Sequence, residues 1–82
     1  MKVSETRFSP TVFIREEMIE RDWDIAVLAE KSMLGLETVT KVMNGSHKVN
    51  LFVAHGLGMA FGTGRQFWVN LQAAYDEPMQ AE

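Results

Sequence analysis

The chain has no cysteine. That removes disulfide scaffolds and cysteine-ligated zinc from consideration, and fits a reducing, cytoplasmic compartment. Only two histidines occur, His47 and His55, and no third ligand is patterned near them, so no metal site is expected. A long apolar run is missing as well. The most hydrophobic stretch, Val49 to Gly62, is too short to span a bilayer and contains Asn50 and His55, so no membrane association is expected. The N-terminal MKVSETRFSP has no apolar core of the kind a secretory signal needs. Enzyme signatures are equally scarce. No glycine-rich phosphate loop precedes a helix, and no acid–base pair sits on a cleft-forming element, so neither catalysis nor a cofactor is expected. Glycines do cluster in GLGMAFGTG, but without a strand–turn–helix context they mark a segment that is either flexible or tightly packed.

Positive charge is also in short supply, with a formal net charge of −3. This argues mildly against a nucleic-acid binder, which needs clustered Lys and Arg to neutralise phosphates. The distribution qualifies the total. Glu5, Glu16, Glu17, Glu20 and Asp22 lie in or before the first helical segment, and Asp76, Glu77 and Glu82 lie at the C-terminal end. Between Lys31 and Gln66 the sole acid is Glu37, against Lys31, Lys41, Lys48 and Arg65. The middle of the chain is locally basic.

What the chain does have is enough apolar material for one modest core: 82 residues, 46 % of them hydrophobic. Its pattern is helical throughout. Ser9-Pro10 reads as a cap followed by proline at the first helical position, opening a helix to about Arg21. Phe13, Ile14, Met18 and, beside them, Ile19 form its apolar stripe. Asp24 caps a second helix with Ile25, Leu28 and Ala29 inward, and Trp23 and Leu28 have the spacing of a hydrophobic staple. A tight turn through Met33, Leu34 and Gly35 leads to a third helix with Leu36, Val39, Val42 and Met43 on one face. Asn44-Gly45 ends it with residue types that tolerate a left-handed conformation. Leu51 to Phe61 is a poorly written fourth helix, since Gly56 and Gly58 each cost about 1 kcal/mol relative to Ala. Either packing compensates or the segment frays. After the turn Gly62-Thr63-Gly64, Arg65 to Asp76 forms a fifth helix with Trp68, Leu71 and Tyr75 in register. Phe67 and Trp68 are expected to pack on the first and fourth helices, with Asn70 and Gln72 outside. Residues 1–7 and 77–82 are expected to be loose tails.

The second and third helices, joined tightly with small Ala29 where they would cross, have the form of a DNA-reading helix-turn-helix. On a helical wheel, Glu37, Thr40, Lys41 and Asn44 oppose the apolar face of helix three, and Thr38 lies on its flank. In a major groove Lys41 can reach guanine or a phosphate, Thr38 and Thr40 can meet base edges or a thymine methyl, and Glu37 can accept from cytosine N4. Lys48 and Ser46, beside His47, can hold a phosphate from the loop behind the helix, and Lys31 is a further backbone candidate. Asn44 and Gly45 serve better as a cap than as base contacts. The alternative for all of these is an ordinary solvated surface.

Five helices in this order resemble the Xre-type helix-turn-helix domain, and within it the HigA-type antitoxins of toxin–antitoxin loci. The residues that carry the resemblance are Pro10 with Arg15-Glu16-Glu17, Trp23, Leu28-Ala29, Asn44-Gly45, and above all Phe67-Trp68-Val69-Asn70-Leu71-Gln72. It covers residues 8–76 and implies an all-α, lambda-repressor-like five-helix bundle. By the same resemblance the chain would bind double-stranded DNA as a homodimer at an inverted repeat, repress its own operon and neutralise a HigB-like ribonuclease toxin. A dimer is also expected because one short recognition helix reads too few bases for useful specificity. Ile25 stands where the family has a DNA-touching polar residue, Met33 where it has glycine, and Gly56 and Gly58 where it has good helix formers. A solitary phage or prophage regulator is the alternative within the class. A protein-interaction module with eroded DNA contacts is the alternative outside it.

Overall fold

A computed structural model describes residues 9–76, and the expected tails lie outside them. Five α-helices follow in order: α1 (Pro10–Arg21), α2 (Ile25–Ser32), α3 (Leu36–Met43), α4 (Leu51–Phe61) and α5 (Arg65–Asp76). No strand occurs among the described residues, and none of their helices is long and apolar enough to cross a membrane. The fold class is the all-α bundle containing a helix-turn-helix that the sequence predicts.

Local chemistry sets the helix ends. The Ser9 hydroxyl accepts from the Thr11 N–H, the Asp24 carboxylate from Val27 N–H, and Asn50 Oδ1 from Val53 N–H, each satisfying a donor that the first turn leaves free. At the other end of α1, Asp22 turns left-handed (φ 60°), with Trp23 N–H bonding back to the Met18 carbonyl. α3 ends in the same way. Gly45 takes the left-handed position (φ 87°), Gly45 N–H reaches the Val42 carbonyl, and Ser46 N–H reaches that of Lys41. Asn44 stays outside the left-handed region at φ −93°, so Gly45 alone supplies the reversal.

The core gathers Ile14 and Met18 from α1, Leu28 and Ala29 from α2, Val39 and Val42 from α3, Val53, Ala54, Leu57 and Phe61 from α4, and Trp68 from α5. α4 is the central helix, packed on both α5 and α2, while α1 closes the bundle against α3 and α5. One side carries stacked rings. Trp23 lies parallel to Phe61 with centroids 5.5 Å apart, and Phe61 leans on Trp68 at 5.7 Å. The Arg21 guanidinium covers both Trp23 and Phe61, at 5.5 and 5.0 Å from their centroids. Trp68 is wholly buried and its indole N–H donates to the Thr63 hydroxyl at 2.8 Å.

The two glycines of α4 are packing positions, not weak points. A Cβ on Gly56 would stand 2.7 Å from Leu34 Cγ and 2.9 Å from the Ser32 carbonyl oxygen. On Gly58 it would stand 2.5 Å from the Gly64 carbonyl carbon. α4 can approach the α2–α3 turn on one side and the start of α5 on the other only because both positions lack a side chain. The segment is therefore tightly packed, and the frayed alternative falls away.

Several expected core residues lie outside. Ile19 and Leu36 are 71 % and 57 % exposed, and Phe67 and Tyr75 are each 41 % exposed. Phe67 sets its ring edge-on against Trp68, so of the two only Trp68 fills the core. Gln72, expected outside, is half-buried and reaches the loop before α4.

Candidate nucleic-acid interface

The α2–α3 turn is built to project α3. Met33 ends α2 in a left-handed conformation (φ 62°) with its side chain in solvent. Leu34 then dips into the core, and Gly35 (φ 91°) sends the chain into α3. Buried Ser32 braces the turn, its hydroxyl donating to the Ala29 carbonyl and accepting from Leu34 N–H. The far end of α3 is tied to α1 by the Thr11 hydroxyl, which donates to the Val42 carbonyl at 3.1 Å. Both ends are thus fixed by residues that leave its outer face free.

On that face Glu37, Thr40, Lys41 and Asn44 are exposed, and Thr38 is half-buried. Glu37 and Lys41, one turn apart, form an exposed ion pair at 3.2 Å. Ser46 follows in the loop, where the Asn44 side-chain oxygen accepts from its N–H and its hydroxyl. His47 turns back through a ring-nitrogen contact to the Lys48 carbonyl. The structure thus gathers Glu37, Thr38, Thr40 and Lys41 on α3 with Ser46 and Lys48 just behind. Lys31 occupies a different setting, its ammonium 5.8 Å above the Trp23 ring at the α1–α2 junction. Ile25 packs half-buried against the core, which is why an apolar residue suits that position here.

The loop behind α3 has partners that sequence reasoning missed. Val49 N–H donates to Gln72 Oε1 at 2.9 Å, and Gln72 Nε2 donates to Asp76 Oδ1 at 2.9 Å. The other oxygen of Asp76 stands 3.4 Å from Lys48 Nζ. Beside this arrangement runs an open groove of about 170 Å³ that Ser9, Thr11, Gly45 and Tyr75 also line. Gln72 and Asp76 are one helical turn apart, which a sequence shows, but their pairing with the loop spans the fold and leaves no local signature.

This geometry has a solved relative. A crystal structure from Nostoc punctiforme, described as a "putative antidote protein of plasmid maintenance system", is similar to this chain with a TM-score of 0.77 and 30 % sequence identity. The match covers 84 % of this chain and 76 % of that one. The chain belongs to the same family. No protein-family model matches it, and no curated protein does. In this member of that family, Lys41 and Lys48 are each paired with a carboxylate of the same chain, and both pairs remain open to solvent.

Proposed function

We propose that this chain is an antitoxin that also binds duplex DNA through α3, acting as a homodimer on an inverted repeat to repress its own operon. The antitoxin role rests on the family of the solved relative. The partner it would neutralise is a HigB-like ribonuclease, in keeping with the Xre and HigA resemblance. One observation carries the DNA reading: α3 commits Val39 and Val42 to the core and leaves Glu37, Thr40 and Lys41 on a face exposed to solvent. Inserted in a major groove, Lys41 would reach guanine or phosphate, Thr40 and Thr38 would meet base edges, and Glu37 would accept from cytosine. Ser46, Lys48 and Lys31 would serve the backbone.

The test is a fluorescence-anisotropy titration against a duplex carrying the region upstream of the gene, at several salt concentrations. Lys31, Lys41 and Lys48 on two subunits would neutralise about six phosphates, giving a log–log slope of about −5. Absence of binding at low salt, with the protein folded and helical, overturns the DNA reading. A protein-interaction module on the same fold would then stand, a reading favoured by the carboxylates already paired with Lys41 and Lys48.

A further inference from the structure

The last turn of α5 grips the loop behind α3 through two different kinds of contact. Gln72 takes the Val49 backbone N–H, a donor that lies between α3 and α4 and has no place in either helix. Asp76 does something separate. One of its oxygens accepts from Gln72 Nε2, and the other faces Lys48 Nζ across 3.4 Å. Gln72 therefore positions the loop, and it also holds the Asp76 carboxylate where it meets the lysine.

From this arrangement we propose that Asp76 sets the DNA affinity of the chain, by competing with backbone phosphate for Lys48. The proposal rests on the reading of α3 and its following loop as the DNA-binding surface. An ammonium on a flexible stem can face one anion or another, and phosphate must displace a carboxylate that is already in place. The same carboxylate repels a phosphate approaching its neighbourhood. Both effects act in the same direction, and both are electrostatic, so salt must weaken them together. The pair is exposed, with 73 % of the Lys48 side chain and 39 % of the Asp76 side chain open to solvent. Exchange of partners therefore needs no repacking of the bundle. The consequence is a binder whose affinity is held below what its lysines would otherwise provide, with the restraint located at the end of the closing helix.

The experiment compares the wild-type chain with Asp76→Asn, Lys48→Ala and the double variant, by anisotropy on the same upstream duplex at low and high salt. Asparagine keeps an oxygen for Gln72 Nε2 and replaces the oxygen that faces Lys48 with an uncharged amide NH2, which cannot accept from the ammonium. Asp76→Asn should bind about three- to tenfold more tightly at low salt, as expected for two exposed pairs per dimer. The gain should shrink towards nothing at high salt and be lost in the Lys48→Ala background, and Asp76→Glu should behave like wild type. Melting temperatures should stay close to the wild-type value. An Asp76→Asn chain that binds no better than a DNA-binding wild type overturns the proposal alone. So does an equal gain without Lys48, or weaker binding with a lowered melting temperature, which would mark a merely structural clasp. If neither the wild type nor any variant binds duplex at low salt, the DNA reading itself fails, and this proposal fails with it.

Discussion

Gly58 lies against the Gly64–Arg65 peptide so closely that a Cβ on it would come within 2.6 Å of the Arg65 nitrogen. That contact is backbone against side chain, and a backbone held by a helix start cannot swing aside. The substitution Gly58→Ala should therefore destabilise the domain by about 1–3 kcal/mol, overriding the helix propensity that alanine would add. Gly56→Ala should also lose stability, but less, because Leu34 can shift while the Ser32 carbonyl oxygen at 2.9 Å cannot do so easily. Urea unfolding of both variants checks this. Stability at or above wild type for Gly58→Ala would show that α4 and α5 do not approach this closely.

Met33 offers the opposite case. Its left-handed backbone (φ 62°) costs a side-chain-bearing residue about 1–2 kcal/mol, and its side chain, 78 % exposed, recovers little by packing. Glycine removes the strain and adds back part of it as unfolded-chain entropy. Met33→Gly should thus stabilise the domain by about 0.5–1 kcal/mol, read as a higher denaturation midpoint with an unchanged slope. A lower midpoint would mean that the thioether makes a contact worth more than the strain.

The contrast between these two sites shows what was legible in the sequence and why. Caps at Ser9 and Asp24, the proline at position 10 and the periodicity of Ile14, Met18, Leu28, Val39 and Trp68 depend on neighbours within a turn or two. Those were readable, and with them the five helices. Gly56 and Gly58 could be read only as a cost, because what offsets it belongs to other elements. Ile19 and Leu36 share a limit of another kind. A helical wheel assigns a direction but not whether anything lies there, and both sit near a helix end, where they stay largely in solvent. The candidate interface divides likewise. The outer face of α3 followed from its inner face, whereas the Gln72 and Asp76 contacts to Val49 and Lys48 link residues more than twenty positions apart.

Trp68 gives a prediction about polarity at the edge of the core, where its buried indole meets the exposed Thr63. Its ring is fully buried and its N–H has the Thr63 hydroxyl as acceptor, at 2.8 Å. Thr63→Val keeps the side-chain shape and removes the acceptor, leaving the indole donor without that partner. A loss of about 1–3 kcal/mol is expected, with the helical spectrum of the folded state retained. Indole hydrogen exchange should quicken in parallel. No loss in either measurement would mean that the N–H finds water or another acceptor at no cost.

The exposed face of α3 can be tested against its stability as well as its binding. Thr40 and Lys41 both lie in solvent, and Val39 and Val42 alone are buried from this helix, so removing either polar side chain should leave the melting temperature nearly unchanged. If that face reads bases, Lys41→Ala and Thr40→Ala should each weaken binding to the selected operator by about 1–3 kcal/mol. Lys41→Ala should also reduce the salt slope by about one per subunit if Lys41 meets phosphate, but not if it meets guanine alone. Thr38, half-buried on the flank, should matter less than Thr40. Glu37 supplies the internal check, because it pairs with Lys41 at 3.2 Å. Replacing it with Gln frees the lysine and removes a charge that repels phosphate, so non-specific duplex should bind more tightly while discrimination between operator and non-operator falls. Gel shifts on both duplexes measure the two quantities together. Operator binding unaltered by Thr40→Ala and Lys41→Ala would mean that α3 is not the reader, whatever the rest of the fold does.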